Sequence, residues 1–158
     1  MKTIAAALML LLSTTGLALA SDDTIILTVT GTASGEPVEF DRGELRALEQ
    51  RSATMETPWT EGQVTFEGPL LAAVLKAAGA EGKTVVLKAL NDYSAEIPME
   101  DATEMPSMLA MAMNGKDMTV REKGPLFLIY PFDTNPELYN EKYFSRSVWQ
   151  IHEIEVRK

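Results

Sequence analysis

The sequence predicts a mixed α+β domain, and three observations carry that expectation. Short runs rich in β-branched and aromatic residues recur along the chain. Only two or three stretches have helical spacing. The two kinds of element follow no regular βαβ rhythm, and no repeat, low-complexity segment or linker interrupts them.

Taken in order, Met1-Lys2 supplies a positive start, residues 4–12 an uncharged apolar run, and Ala18-Leu19-Ala20 a small-residue cleavage site. This is the pattern of a secretory signal peptide, so residues 1–20 are expected to be removed and residues 21–158 to form a single exported domain. A bacterial periplasm is the expected location. Thr24 to Gly31 reads as a first strand and Pro37 to Phe40 as a second. Asp41-x-x-Glu44 is a capping box that opens a helix through Leu45 and Leu48. Ser52 to Thr57 and Gln63 to Phe66 are strand pieces around a polar turn with Pro58 and Trp59.

Gly68-Pro69 is expected to start a helix whose apolar face holds Leu70, Leu71, Val74, Leu75 and Ala78, with Gly79 at its end. Thr84 to Leu90 is a buried strand, Asn91-Asp92 a turn, and Tyr93 to Ile97 the alternating partner strand. Asn114-Gly115 suits a type I′ hairpin turn after the apolar run from Met108 to Met113. Leu126 to Tyr130 places five large residues in a row, which predicts a strand buried on both faces. Arg121 opens that region, Pro131 closes the strand, and Ser147 to Val156 reads as a final strand.

Composition removes several function classes. The chain carries a net charge of −9, and loss of Lys2 with the leader takes it to −10. Such a balance opposes nucleic acid and anionic membrane surfaces as partners. No stretch after the leader is long and apolar enough to span a bilayer. With no cysteine there is no thiolate chemistry and no disulfide, so the domain rests on its core. The lone His152 cannot supply a histidine-rich metal site, and there is no G-x-S-x-G elbow, Walker loop or G-x-G-x-x-G. The methionines invite thioether ligation of copper, but core packing accounts for them with fewer assumptions.

Five stretches occur together in a telling order: FEGPLLAAVL at 66–75, NDYSAEIP at 91–98, NGK at 114–116, REKGPLFLIYP at 121–131 and RSVWQI at 146–151. In this order the chain resembles the sulfite-oxidase-like molybdopterin-binding domain over about residues 24–156. It is most similar to the short exported pterin-binding members of that superfamily. The resemblance implies a β-rich α+β fold with a pterin pocket lined by loops from several strands. Catalytic members hold molybdenum through a cysteine thiolate. In the corresponding region, SATMETPW at 52–59, a threonine stands instead: Thr57, or alternatively Thr54. A neutral hydroxyl is a poor replacement for a soft thiolate. The resemblance therefore implies a free pterin as ligand, with no metal, no catalytic residue and no oxygen-atom transfer.

Residue types in these stretches suit a pterin. Trp59, Tyr93 and Trp149 offer aromatic faces, although core packing suits them as well. Asp92 can accept from the amino edge of the ring, and Asn91 can both donate and accept. Arg121 can meet the ring carbonyl. Arg146, beside Ser147 in the RSVW stretch, is expected at a polar or phosphorylated tail. The resemblance further implies a partner, the periplasmic domain of a membrane-bound enzyme that makes or degrades cyclic di-GMP. Two other readings stay open at this point. One is a molybdopterin-dependent oxidoreductase with an atypical metal site. The other is an adaptor protein with a vestigial pocket.

Overall fold

In a computed structural model the described residues are 24–158, so the expected leader and its cleavage site lie outside them. The chain runs through β1 (Ile25–Thr30), β2 (Val38–Asp41), α1 (Arg42–Ala47), β3 (Gln50–Met55), β4 (Val64–Pro69) and α2 (Leu71–Ala78). It continues through β5 (Thr84–Ala89), β6 (Ser94–Pro98), α3 (Glu100–Thr103), β7 (Met108–Ala110), β8 (Ala112–Met113) and β9 (Lys116–Asp117). The last elements are β10 (Phe127–Ile129), α4 (Glu141–Arg146) and β11 (Ile151–Arg157). This is the mixed, sheet-rich α+β domain expected, with four short helices among the described residues rather than two or three.

The strands form three sheets. The largest has the order β2-β1-β11-β5-β6, in which β1 and β11 are parallel and every other neighbouring pair is antiparallel. A four-stranded sheet follows the order β3-β4-β8-β9, and β10 pairs with β7. Leu27, Val29, Leu87 and Ile154 from the large sheet meet Phe66, Leu71 and Phe127 in one continuous core.

Local chemistry explains most boundaries. Asp41 accepts from the Glu44 amide at 2.7 Å and Glu44 accepts from the Asp41 amide at 2.9 Å, so the capping box forms as expected. Asn114 and Gly115 both take positive φ, 51° and 76°, and turn β8 into β9. Leu126 to Tyr130 are all fully buried, as a strand flanked on both faces must be. Met55, Met108, Met111 and Met118 are core residues. His152 points outward from β11.

Two boundaries differ from expectation. Gly68-Pro69 does not start α2; both residues belong to β4, opposite Arg51 and Gln50. Here Gly68 passes so close to the backbone of β7 that a β-carbon would collide with the Leu109 carbonyl oxygen. The helix starts one residue after Leu70, and it ends as expected at Gly79, whose φ of 63° is open to glycine without strain. The final strand begins at Ile151, not Ser147. Ser147 terminates α4, and Gln150 takes a φ of 56° that a strand does not admit.

One buried polar cluster ties β10, α3 and α4 together. Asp101 is 3 % exposed. Its Oδ2 accepts from the Tyr130 hydroxyl at 2.6 Å and from the Arg146 guanidinium at 2.8 Å. Burial, then the bond to Asp101, pushes the Tyr130 phenol well above its ordinary range, so it stays a donor. Arg146 also lies against the Tyr143 ring, 5.7 Å from its centroid. Replacing Asp101 by Ala should cost about 3–5 kcal/mol in urea unfolding, because the guanidinium and the phenol both lose their acceptor. Asp101→Asn should cost less, since its amide oxygen can still accept from Tyr130. Equal and small losses in the two variants would show that the cluster does not hold the fold.

Candidate functional site

The β5–β6 turn, the end of α4 and the segment leading into β11 enclose a cleft of about 430 Å³. Trp59, Phe144 and Trp149 form its aromatic side, and Asn91 and Tyr93 form the opposite lip. Tyr93 bridges the two lips by donating its hydroxyl to the Ser145 carbonyl at 3.2 Å. The Asp101 cluster therefore fixes one wall of the cleft, because Arg146 is the last residue of the helix that carries Phe144 and Ser145.

The aromatic rings meet edge to face. Trp59 lies 5.3 Å from Phe127 and 5.7 Å from Phe144, which anchors it in the core. Its plane makes an angle of 67° with that of Trp149, with centroids 6.1 Å apart. Two rings so inclined cannot both lay a face on one flat ligand. Trp149 is 37 % exposed, and Lys123 Nζ lies over its ring, 5.5 Å from the centroid. A planar heterocycle on Trp149 would meet Trp59 nearer its edge.

The polar groups of the cleft have already committed most of their donors. Ser145 Oγ donates to the Lys142 carbonyl and Ser147 Oγ to the Tyr143 carbonyl, each at 2.8 Å. Asn91 Oδ1 accepts from the Tyr93 amide at 3.3 Å, leaving its Nδ2 as a free donor. The hydroxyls keep lone pairs, and Glu141 adds a carboxylate. The site thus presents several acceptors and few donors.

Of the residues proposed from sequence, Trp59, Asn91, Tyr93, Ser147 and Trp149 come together here. Asp92 sits between two lining residues but at the exposed tip of the turn, with φ 64°. Arg121 is exposed on a short 3-10 turn, Val120–Glu122, outside the cleft lining. Arg146 is bound inward to Asp101. Thr57 is buried, and its hydroxyl is 2.7 Å from that of Thr60. Glu141, Phe144 and Ser145 went unremarked in the sequence. Their signal was Asn140, an N-cap whose side chain accepts from the Lys142 amide at 3.0 Å and opens α4.

No cysteine exists to ligate a metal, and no group of three or more His, Asp or Glu side chains converges among the described residues. None of the described helices is long and apolar enough to cross a membrane.

No curated protein sequence matches this chain. A solved structure, the sulfane dehydrogenase SoxCD from Paracoccus pantotrophus, superposes with a TM-score of 0.62 at 19 % identity. The match covers 83 % of this chain and 37 % of that chain, and shows a shared fold. Residues 17–158 match the profile of the oxidoreductase molybdopterin binding domain. The chain belongs to that family, the sulfite-oxidase-like molybdopterin-binding domains.

Proposed function

We propose that the chain is a non-catalytic pterin-binding protein of the periplasm, which binds a free pterin in the cleft between Trp149 and the β5–β6 turn. One observation carries this reading. The chain has an aromatic, acceptor-rich cleft but no cysteine, and by resemblance Thr57, or alternatively Thr54, stands where catalytic relatives place the thiolate. The residues present do not fit the metal half of molybdopterin, since a buried neutral hydroxyl is a hard, weak donor toward molybdenum. They do suit the organic half. A flat ring can stack on Trp149, and its N–H groups can donate to the acceptors around it.

The leader pattern expected over residues 1–20 supports export, and the cleft's position at the surface supports a role in which a partner senses its occupancy. The partner we propose is the periplasmic domain of a membrane-bound enzyme that makes or degrades cyclic di-GMP, so that the bound pterin is a signal and not a reactant.

The direct test is titration of the purified protein with a pterin, read by tryptophan emission, alongside metal analysis of protein from a molybdenum-replete host. Saturable quenching without stoichiometric molybdenum is expected. Molybdenum near one per chain would overturn the free-pterin reading. Trp149→Leu should weaken binding about 10- to 100-fold, by analogy with base stacking on aromatic side chains. Unchanged affinity in both Trp59→Leu and Trp149→Leu would remove these rings from the site.

The arginine at the end of α4 gives a second test. Because Arg146 is held by Asp101, its replacement by Ala should loosen the cleft wall and weaken ring-only and long-tailed pterins by the same factor. A loss confined to tailed ligands would place the guanidinium on the tail instead.

A further inference from the structure

We infer that Glu141 is the specificity-determining residue of the cleft, its carboxylate accepting the paired N–H donors of a cyclic guanidine edge. This rests on the pterin reading above and deepens it, by naming the group that distinguishes a 2-amino-4-oxo ring from other flat heterocycles.

Few groups in the cleft are free to bind. The Tyr93, Ser145 and Ser147 hydroxyls spend their protons on backbone carbonyls, as described. They can still accept, but each is neutral and partly engaged. Glu141 also lines the cleft, and it enters none of the ion pairs among the described residues. It is the one acidic side chain of the lining. Asp92 is the competing carboxylate nearby, and the lining skips it in favour of Asn91 and Tyr93 on either side.

Position favours the same residue. Glu141 is the first residue of α4, and Asn140 fixes that start as the N-cap. The same helix carries Phe144 and Ser145 on the cleft side, so Glu141 and Phe144 are one turn apart and share a face. The opposite end of the helix is clamped by Arg146 on Asp101. The carboxylate therefore stands on a braced element, beside an aromatic wall, where a planar ring would bring its edge.

The chemistry that matches is a pair of parallel donors. A carboxylate has two oxygens and no proton at neutral pH, and it accepts two N–H groups side by side. An exocyclic amino group next to a ring N–H supplies that pair. A carbonyl in place of the amino group would set oxygen against oxygen and leave the carboxylate facing a like partner. The Asn91 Nδ2 is the free donor left to meet a ring carbonyl.

The test uses the full-length mature protein, two probes and two variants. The probes are pterin and lumazine, which carries a carbonyl where pterin carries the 2-amino group. Tryptophan quenching gives both dissociation constants, and thermal unfolding checks that each variant is folded. The wild type should prefer pterin over lumazine by about 10- to 100-fold, the range expected for hydrogen bonds to a charged group. Glu141→Gln should abolish or invert that preference, because its amide can donate to the lumazine carbonyl. A preference that survives in Glu141→Gln overturns the inference. So does a preference that collapses in Asp92→Asn and survives in Glu141→Gln, which would assign the carboxylate to Asp92. A wild type that binds both probes equally refutes the role of Glu141 and leaves pterin binding standing. A wild type that binds neither refutes both.

Discussion

A carboxylate removed from water has to be paired, and the placement of Asp101 imposes that requirement on two distant parts of the chain. Tyr130 meets it from just beyond β10, a fully buried strand, and Arg146 meets it from the end of α4. Neither partner lies near Asp101 in sequence. Once both are in place, α4 has a fixed end and a fixed rotation, and the residues it turns toward the β5–β6 hairpin become a wall. The aromatic packing around Trp59 then sets the depth of the cleft. The site thus follows from one buried charge and one aromatic cluster, which hold in place the loops that line it.

Periodicity made much of the fold legible. The Asp41 capping box, the Asn114-Gly115 turn and the run from Leu126 to Tyr130 each carry a local reason for their conformation, and each forms as that reason requires. Gly68-Pro69 misled because its meaning is tertiary. Glycine followed by proline commonly opens a helix, but here the missing β-carbon lets β4 cross the backbone of β7. Nothing within a dozen residues of Gly68 announces that Leu109 will lie against it. Gln150 is similar: a positive φ at a glutamine has no marker in composition.

The site was legible in part for the same reasons. Aromatic and amide residues in Asn91 to Tyr93 and in Ser147 to Trp149 were identifiable by type, and the fold brings them together. The arginines were not. A guanidinium in a sequence can face a ligand, the solvent or a buried carboxylate, and only the packing decides. Arg121 faces solvent and Arg146 faces Asp101. Glu141 was hidden among many other carboxylates, and its distinction comes from the wall on which α4 places it.

The order of strands in the large sheet has its own consequence. The last described strand, β11, occupies the middle, between β1 and β5. Until Ile151–Arg157 have emerged, the two halves of that sheet have no common neighbour and their apolar faces stay apart. Closure of the large sheet therefore requires β11, and the pairing of β1 with β11, more than a hundred residues apart in sequence, is slow to nucleate.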